Sequence, residues 1–339
     1  MDRPRTFVDE AQLEDEMSRP SASLVHDLSQ LEGDIMVLGA AGKMGPTLAR
    51  MAKRAAPHKR VLAVARFSQA GLWDSLQSHG VECVRADLLD QAALLKLPDM
   101  QNVVYMAGRK FGSQGSEWLT WAMNAHVPAL VAQRFRHSNF AVFSTACVYP
   151  YVPVAGNGAD EDTPLIPVGE YANSCVARER MFEHFSHQLG IRGCFLRLSY
   201  AIDMRYGVLH DLARALVENR PIVLAMGHAN VIWQGDANEI ALRSLCRTRQ
   251  PMVPINLSGP KVSIRHAAQE LASRLGVTAR FEGSESPTAW LVDCERMNDW
   301  FGPPGVDLDT MLDWTADWVG QGRSSLGKPT HFEVRDGHY

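Results

Sequence analysis

Three glycines, Gly39, Gly42 and Gly45, stand at G-x-x-G-x-x-G spacing between the apolar run Asp34-Ile35-Met36-Val37-Leu38 and a helical pattern from Pro46 through Lys53. Few local sequences leave a chain so little choice. The first glycine permits a tight strand-to-helix turn, the second lets the backbone approach a ligand, and the third lets the helix pack closely on the strand. The helix then points its unsatisfied amides and positive dipole end at the turn, an arrangement suited to a pyrophosphate. This spacing predicts a dinucleotide site built from Gly39, Gly42, Lys43, Met44 and Gly45.

The pattern continues as alternating strands and helices. Strand-like segments at 60–65, 81–85, 102–106, 139–143 and 193–198 alternate with helical stretches at 70–78, 91–97, 116–134 and 170–189. That order predicts an α/β fold, a Rossmann-type doubly wound parallel sheet with a smaller C-terminal substrate lobe. Ligands of such a sheet bind at the carboxyl ends of its strands. The dinucleotide-binding domain is expected over residues 34–202, with 231–250 returning to it, and the substrate lobe over 203–230 and 251–320. Residues 1–33 read as a helical extension in which Leu24, Val25, Leu28 and Leu31 recur at helical spacing and dock on the body. The end of the chain, 321–339, is polar, carries Lys328, His331, Arg335 and His338, and reads as a free tail.

Charge and cysteine usage exclude several classes. With 34 basic and 38 acidic side chains in 339 residues the net charge is −4, so no field favours nucleic acid or an anionic membrane. No apolar run reaches the roughly 18 residues of a membrane span. The start, Met1-Asp2-Arg3-Pro4-Arg5, has the pattern of neither a signal nor a transit peptide. Six scattered cysteines without a C-x-x-C pair fit free thiols in a reducing compartment, the cytoplasm. No residues show metal-ligand spacing; His184 and His187 lack cysteine or carboxylate company and read as surface.

The cofactor's other contacts follow from strand ends. An NAD site usually carries a carboxylate at the end of the second strand. Here that place reads Val64-Ala65-Arg66-Phe67, so Arg66 with Lys43 favours a 2′-phosphate, NADP over NAD. Asp87 and Leu88 after the third strand reach the adenine edge, and Ala107 and Gly108 after the fourth let the cofactor pass close to the backbone.

Together with Asn124, Phe143-Ser144-Thr145-Ala146-Cys147-Val148-Tyr149, Tyr171, Leu196-Arg197-Leu198, Trp233-Gln234-Gly235-Asp236-Ala237 and Asn256-Leu257-Ser258-Gly259-Pro260, these features resemble the extended short-chain dehydrogenase/reductases. The likeness is to their NAD-dependent epimerase/dehydratase branch and spans roughly residues 34–320. The resemblance implies that Ser144 or Thr145 hydrogen-bonds the substrate oxygen and that Tyr171 is the acid or base. It also implies a homodimer and a sugar, sugar nucleotide or similar small molecule as substrate. Arg205, Tyr206, Trp233 and Arg265 are the residues expected to hold the substrate's polar end.

One position departs from the pattern. The family's lysine, four residues after the tyrosine, is Cys175 here. A free tyrosine has a pKa near ~10 and is about one part in a thousand ionised at pH 7. A thiol supplies no charge to help it, and a thiolate opposes ionisation. Arg178 or Lys110 can supply the missing positive charge; Cys175 itself reads as a small buried residue on the helix's apolar face. Two functions remain open: an NAD(P)-dependent oxidoreductase, epimerase or dehydratase, or a dinucleotide-binding sensor that has lost hydride transfer.

Overall fold

A computed structural model describes residues 3–110 and 115–337. Seven parallel strands form the central sheet: β1 (Ile35–Leu38), β2 (Val61–Ala65), β3 (Glu82–Arg85), β4 (Asn102–Tyr105), β5 (Asn139–Thr145), β6 (Arg192–Leu198) and β7 (Val253–Leu257), ordered β7-β6-β5-β4-β1-β2-β3. Alternate residues of each strand feed separate cores. Ile35, Val37, Val61, Ala63 and Val104 pack under the helices Ala22–Gln30, Gly45–Ala55 and Gln234–Arg243. Met36, Leu38, Leu62, Val64 and Val103 face the opposite layer, where Val131, Phe182 and Phe185 meet them. Burial on both faces explains why the inner strands read as continuous apolar runs, while β3 at the sheet edge keeps Glu82 and Arg85 exposed.

The seventh strand corrects the expected boundary. Residues 251–320 read as substrate lobe, yet Val253–Leu257 pairs in register with Cys194–Leu198 and completes the sheet. Pro254 and Asn256 interrupt the apolar pattern and hide the strand, and an edge position tolerates the proline. Met297, in the helix Glu295–Phe301, also packs into the sheet core. The remaining second lobe is centred on Trp233, Trp314 and Trp318.

A proline accounts for another local departure. The helical stretch expected over 116–134 consists of α-helix at Glu117–Trp121, a π-helical turn at Ala122–His126 and α-helix again at Val127–Arg134. Pro128 has no N–H to return to residue 124, and the wider turn absorbs that missing bond.

Both chain ends are tied to the body. The acidic segment near the start forms a helix, Glu10–Met17, capped by Asp9. Leu24 and Leu28 of the next helix are fully buried in the sheet core. The tail is not free. Thr330 donates its N–H and hydroxyl to Asp211 at 2.7 and 2.6 Å, and Phe332 is buried in the second-lobe core. The Tyr151 hydroxyl donates to the Arg335 carbonyl at 2.6 Å, and the Arg335 guanidinium lies 4.1 Å from the Tyr151 ring. One buried aromatic and a few polar contacts leave no periodic signal in sequence. His338 lies outside the described residues. Among the described residues no helix is long and apolar enough to cross a membrane.

Replacing Leu24 or Leu28 by alanine should each lower the unfolding free energy by about 2–5 kcal/mol, the usual range for buried leucine. Urea denaturation reads this directly. A loss under ~0.5 kcal/mol, the level of a neutral surface change, would show that the N-terminal helices do not belong to the cooperative fold.

Candidate active site

The glycine loop lies at the carboxyl end of β1, where the sheet order reverses between β1 and β4. Gly39 adopts φ +89°, and a Cβ there would meet the Ala107 nitrogen at 2.6 Å; a Cβ on Gly45 would meet the Ala40 carbonyl oxygen at 2.4 Å. These two glycines are required by the protein's own packing. Gly42 is looser, its nearest neighbour 3.3 Å from a built Cβ, and it lines an open cavity of about 220 Å³. The helix Gly45–Ala55 begins without a side-chain cap. Its open amide end therefore fits a pyrophosphate on the observed geometry.

The same cavity gathers Gly39, Arg66, Asp87, Leu88, Ala107 and Gly108, the residues expected along a dinucleotide. Asp87 is partly engaged, accepting the Leu89 N–H at 3.0 Å. Arg66 is exposed at the rim, and Arg85 is exposed at the end of β3, the strand beside β2, where it pairs in register with Ala65. Arg85 was invisible in the sequence because its relevance depends on which strand neighbours β2.

Lys43 corrects the sequence expectation. It does not join Arg66; it lines a second cavity on the other side of the loop, with its ammonium 3.0 Å from the centroid of the Tyr206 ring. Enclosure by protein pushes Lys43 down to about 7, against the pull of Asp203. The side chain is exposed to the cleft, where solvent offsets part of that fall.

Tyr171, Thr145, Ser144 and Lys110 line this second cavity. Tyr171 opens the helix Gly169–Leu189, and Cys175 lies one turn on, buried among Ala146, Val148 and Tyr149. Burial raises the Tyr171 phenol well above its ordinary value, and Cys175 and Cys147 add to the rise while Arg178 opposes it. Burial also pushes the Cys175 thiol up. Arg178 reaches the back wall, donating to the Phe143 carbonyl and to Asn124 Oδ1, both at 2.8 Å. The Lys110 ammonium stands 5.8 Å from the Tyr171 ring centroid, and burial lowers its pKa.

The two hydroxyls after β5 differ. Ser144 donates to Glu179 Oε1 at 2.5 Å and belongs to a buried network, whereas Thr145 Oγ1 accepts the Cys147 N–H at 3.2 Å, leaving its hydrogen available. Glu179 is forked to Arg197, Nη2 to Oε2 at 2.7 Å and Nε to Oε1 at 3.1 Å, and Arg197 also donates to the Tyr149 hydroxyl at 2.6 Å. Tyr149 donates in turn to Asn256 in β7 at 2.8 Å. This network ties three strands to the tyrosine helix.

Of the residues expected to hold substrate, only Tyr206 reaches the cleft. Arg205 is buried against Asp203, Glu10 and Glu14. Trp233 is a core residue stacked with Phe7, and Arg265 is paired with Glu285 on the surface. Burial and opposite charge claim them first. Tyr200 and Trp290, not foreseen, do line the cleft.

A strand–glycine-loop–helix at the switch point of a parallel sheet, with a tyrosine-bearing cleft beside it, defines a protein with a Rossmann-type dinucleotide fold. The chain belongs to the NAD dependent epimerase/dehydratase family, which it matches over residues 35–227. Solved structures share the fold. UDP-glucuronic acid 4-epimerase from Bacillus cereus, in complex with UDP-glucuronic acid and NAD, is 20% identical, with 85% of this chain and 99% of that one covered and a TM-score of 0.69. A dTDP-glucose 4,6-dehydratase from Bacillus anthracis in complex with NAD is 17% identical over 86% and 97%, with a TM-score of 0.73. Comparison with curated proteins finds no match.

Glu179→Gln should destabilise the protein by about 3–5 kcal/mol, because it leaves Arg197 buried without its charge partner. Thermal or urea unfolding measures this. A loss below about 1 kcal/mol, the level of an exposed pair, would mean the network is solvated in solution.

Proposed function

We propose that the protein is an NAD(P)-dependent reductase or related epimerase/dehydratase acting on the hydroxyl or keto group of a sugar, sugar nucleotide or similar small molecule. The observation that carries this reading is the pairing of Tyr171 and Thr145 in one cleft, separated from the phosphate cavity only by the glycine loop. When bound, the nicotinamide supplies or accepts the hydride. Thr145 donates its hydroxyl to the substrate oxygen, and Tyr171 delivers or receives the proton there. Tyr171 remains protonated through neutral pH, so it enters ketone reduction in the form that donates a proton.

Arg66, joined by Arg85 from the neighbouring strand, supports a preference for the 2′-phosphate of NADP. The reading carries with it a cytoplasmic homodimer formed along the helix Gly169–Leu189, beside which Trp118 is 71% exposed. A second reading, a dinucleotide-binding sensor, is favoured by Cys175 where a cation would assist the tyrosine.

Tryptophan fluorescence titration should give tighter binding of NADPH than of NADH, with Arg66→Ala removing most of the difference. Failure of both dinucleotides to bind would overturn the reading. Tyr171→Phe should lower kcat/KM for ketone reduction by about 10²-fold or more, the usual worth of a general acid. Tyr171 should contribute no change to the wild-type rate from pH 6 to about 9, so any step in that range belongs to Lys43, which burial pushes down to about 7. Dinucleotide binding without turnover on a panel of ketones would select the sensor instead.

A further inference from the structure

The end of the chain crosses from one lobe to the other beside the Tyr171 cleft. Leu326 donates its N–H to the Arg205 carbonyl at 3.0 Å, one residue before Tyr206, which lines the cleft. Thr330 and Phe332 then anchor the chain in the second lobe, on Asp211 and in the apolar core. Beyond them Arg335 donates to the Thr288 carbonyl and hydroxyl at 2.8 and 2.9 Å. Gly337 closes on the start of the tyrosine helix: a Cβ there would meet the Val168 carbonyl oxygen at 2.5 Å and the Gly169 Cα at 2.8 Å. Gly169 stands two residues before Tyr171, so the segment begins beside one cleft tyrosine and ends beside another.

Under this segment lies an apolar cluster that is also a wall of the cleft. Trp290 lines the cleft, and around Trp290 and Met226 pack Cys147, Tyr151 and Val168. The Trp290 ring lies 4.6 Å from that of Tyr151, and Tyr151 in turn carries the Arg335 guanidinium and bonds its carbonyl. Arg335 Nη1 also stands 3.4 Å from the Met226 sulfur. Burial first, then Cys147, Tyr206 and Glu333, raise the Tyr200 phenol, so Glu333 lies within charge range of a second ring in the lining. The anchors differ in kind. Phe332 belongs to the second-lobe core, whereas among the described residues none of 333–337 enters an apolar core. Part-buried hydrogen bonds are individually modest, so this last stretch comes away well before the lobe unfolds.

We infer that residues 333–337 are a strap over the Tyr171 cleft: hinged after Phe332, closed on Gly169, and released there to open the wall at Trp290. Release frees the Tyr151 ring and with it the outer support of Trp290, while Phe332 keeps the segment tethered for reclosure. Access to the cleft then requires no separation of the two lobes. The strap concerns entry alone and holds for the enzyme and the sensor alike.

Cys147 reports the opening, because it lines the cleft and lies in the covered cluster. The full-length protein is labelled with N-ethylmaleimide or with the bulkier fluorescein-5-maleimide, and each cysteine is followed by peptide mass spectrometry. Exposed Cys246 is the uncovered reference, and Cys194, buried in the sheet, reports global unfolding. In the wild type the bulky reagent should lag the small one at Cys147 far more than at Cys246. Arg335→Ala removes both bonds to Thr288 and should speed bulky labelling of Cys147 about tenfold or more, through the local opening equilibrium. Gly337→Val cannot seat against Val168 and should do the same; at the end of the chain it leaves the cores untouched and decides if Arg335→Ala unfolds. Equal reagent ratios at Cys147 and Cys246 in the wild type overturn the strap. So does unchanged Cys147 labelling in a variant whose Cys194 stays protected.

Discussion

The turn out of β1 is held so tightly that backbone meets backbone. The Gly39 and Ala40 amides both donate to the Val64 carbonyl, at 2.9 and 3.2 Å, while the other side of Gly39 lies against Ala107. The loop is thus pinned between β2 and β4, and Gly45 closes on Ala40 with no room for a side chain. Only at Gly42 does the backbone open to a ligand. Lys43 leaves this pinned loop on the side of the Tyr171 cleft, over the Tyr206 ring. One steric constraint thereby sets both the phosphate cradle and a wall of the neighbouring cavity.

In that neighbouring cavity the lining cations do not come from the tyrosine helix. The position one turn after Tyr171 is a buried thiol, and the nearest cation on the same helix, Arg178, spends its donors on Phe143 and Asn124. The ammonium groups come from loops instead, Lys43 from the glycine turn and Lys110 from beyond β4. A cation directly beneath a phenol stabilises the phenolate; cations across a cleft stabilise an anion on the ligand. Burial first of all, with the neighbouring thiols adding to it, keeps the proton on Tyr171.

Much of the architecture was legible because it rests on local period. Strands buried on both faces, a glycine triplet in strand–turn–helix context and the helix N-terminal to Gly190 each write their own signal. Val253–Leu257 escaped since its membership in the sheet depends on a long-range partner, and its proline and asparagine break the run. The site was legible as residue types and less so as directions. Thr145 and Ser144 are adjacent and chemically alike, but only the fold reveals that Glu179 takes the serine. Arg205, Trp233 and Arg265 carry suitable chemistry, yet Asp203, Phe7 and Glu285 stand closer than any ligand.

The N-terminal helix bears on the cleft through charge, although it is distant in sequence. Glu10 and Glu14 receive the Arg205 guanidinium at 2.9 and 3.0 Å, and Arg205 in turn forks Asp203. Asp203 and Tyr206 bridge each other's backbones, at 3.0 and 2.9 Å, in the turn that presents the Tyr206 ring to Lys43. The Asp203–Arg205 pair is buried, so losing either partner would leave the other's charge uncompensated, which holds that turn in place; Glu10 and Glu14 are more exposed and add to it from outside. The extension before β1 is therefore a buttress for the residue that orients Lys43. Its acidic composition, which in isolation suggests only a solvated surface, is what the buried arginine requires.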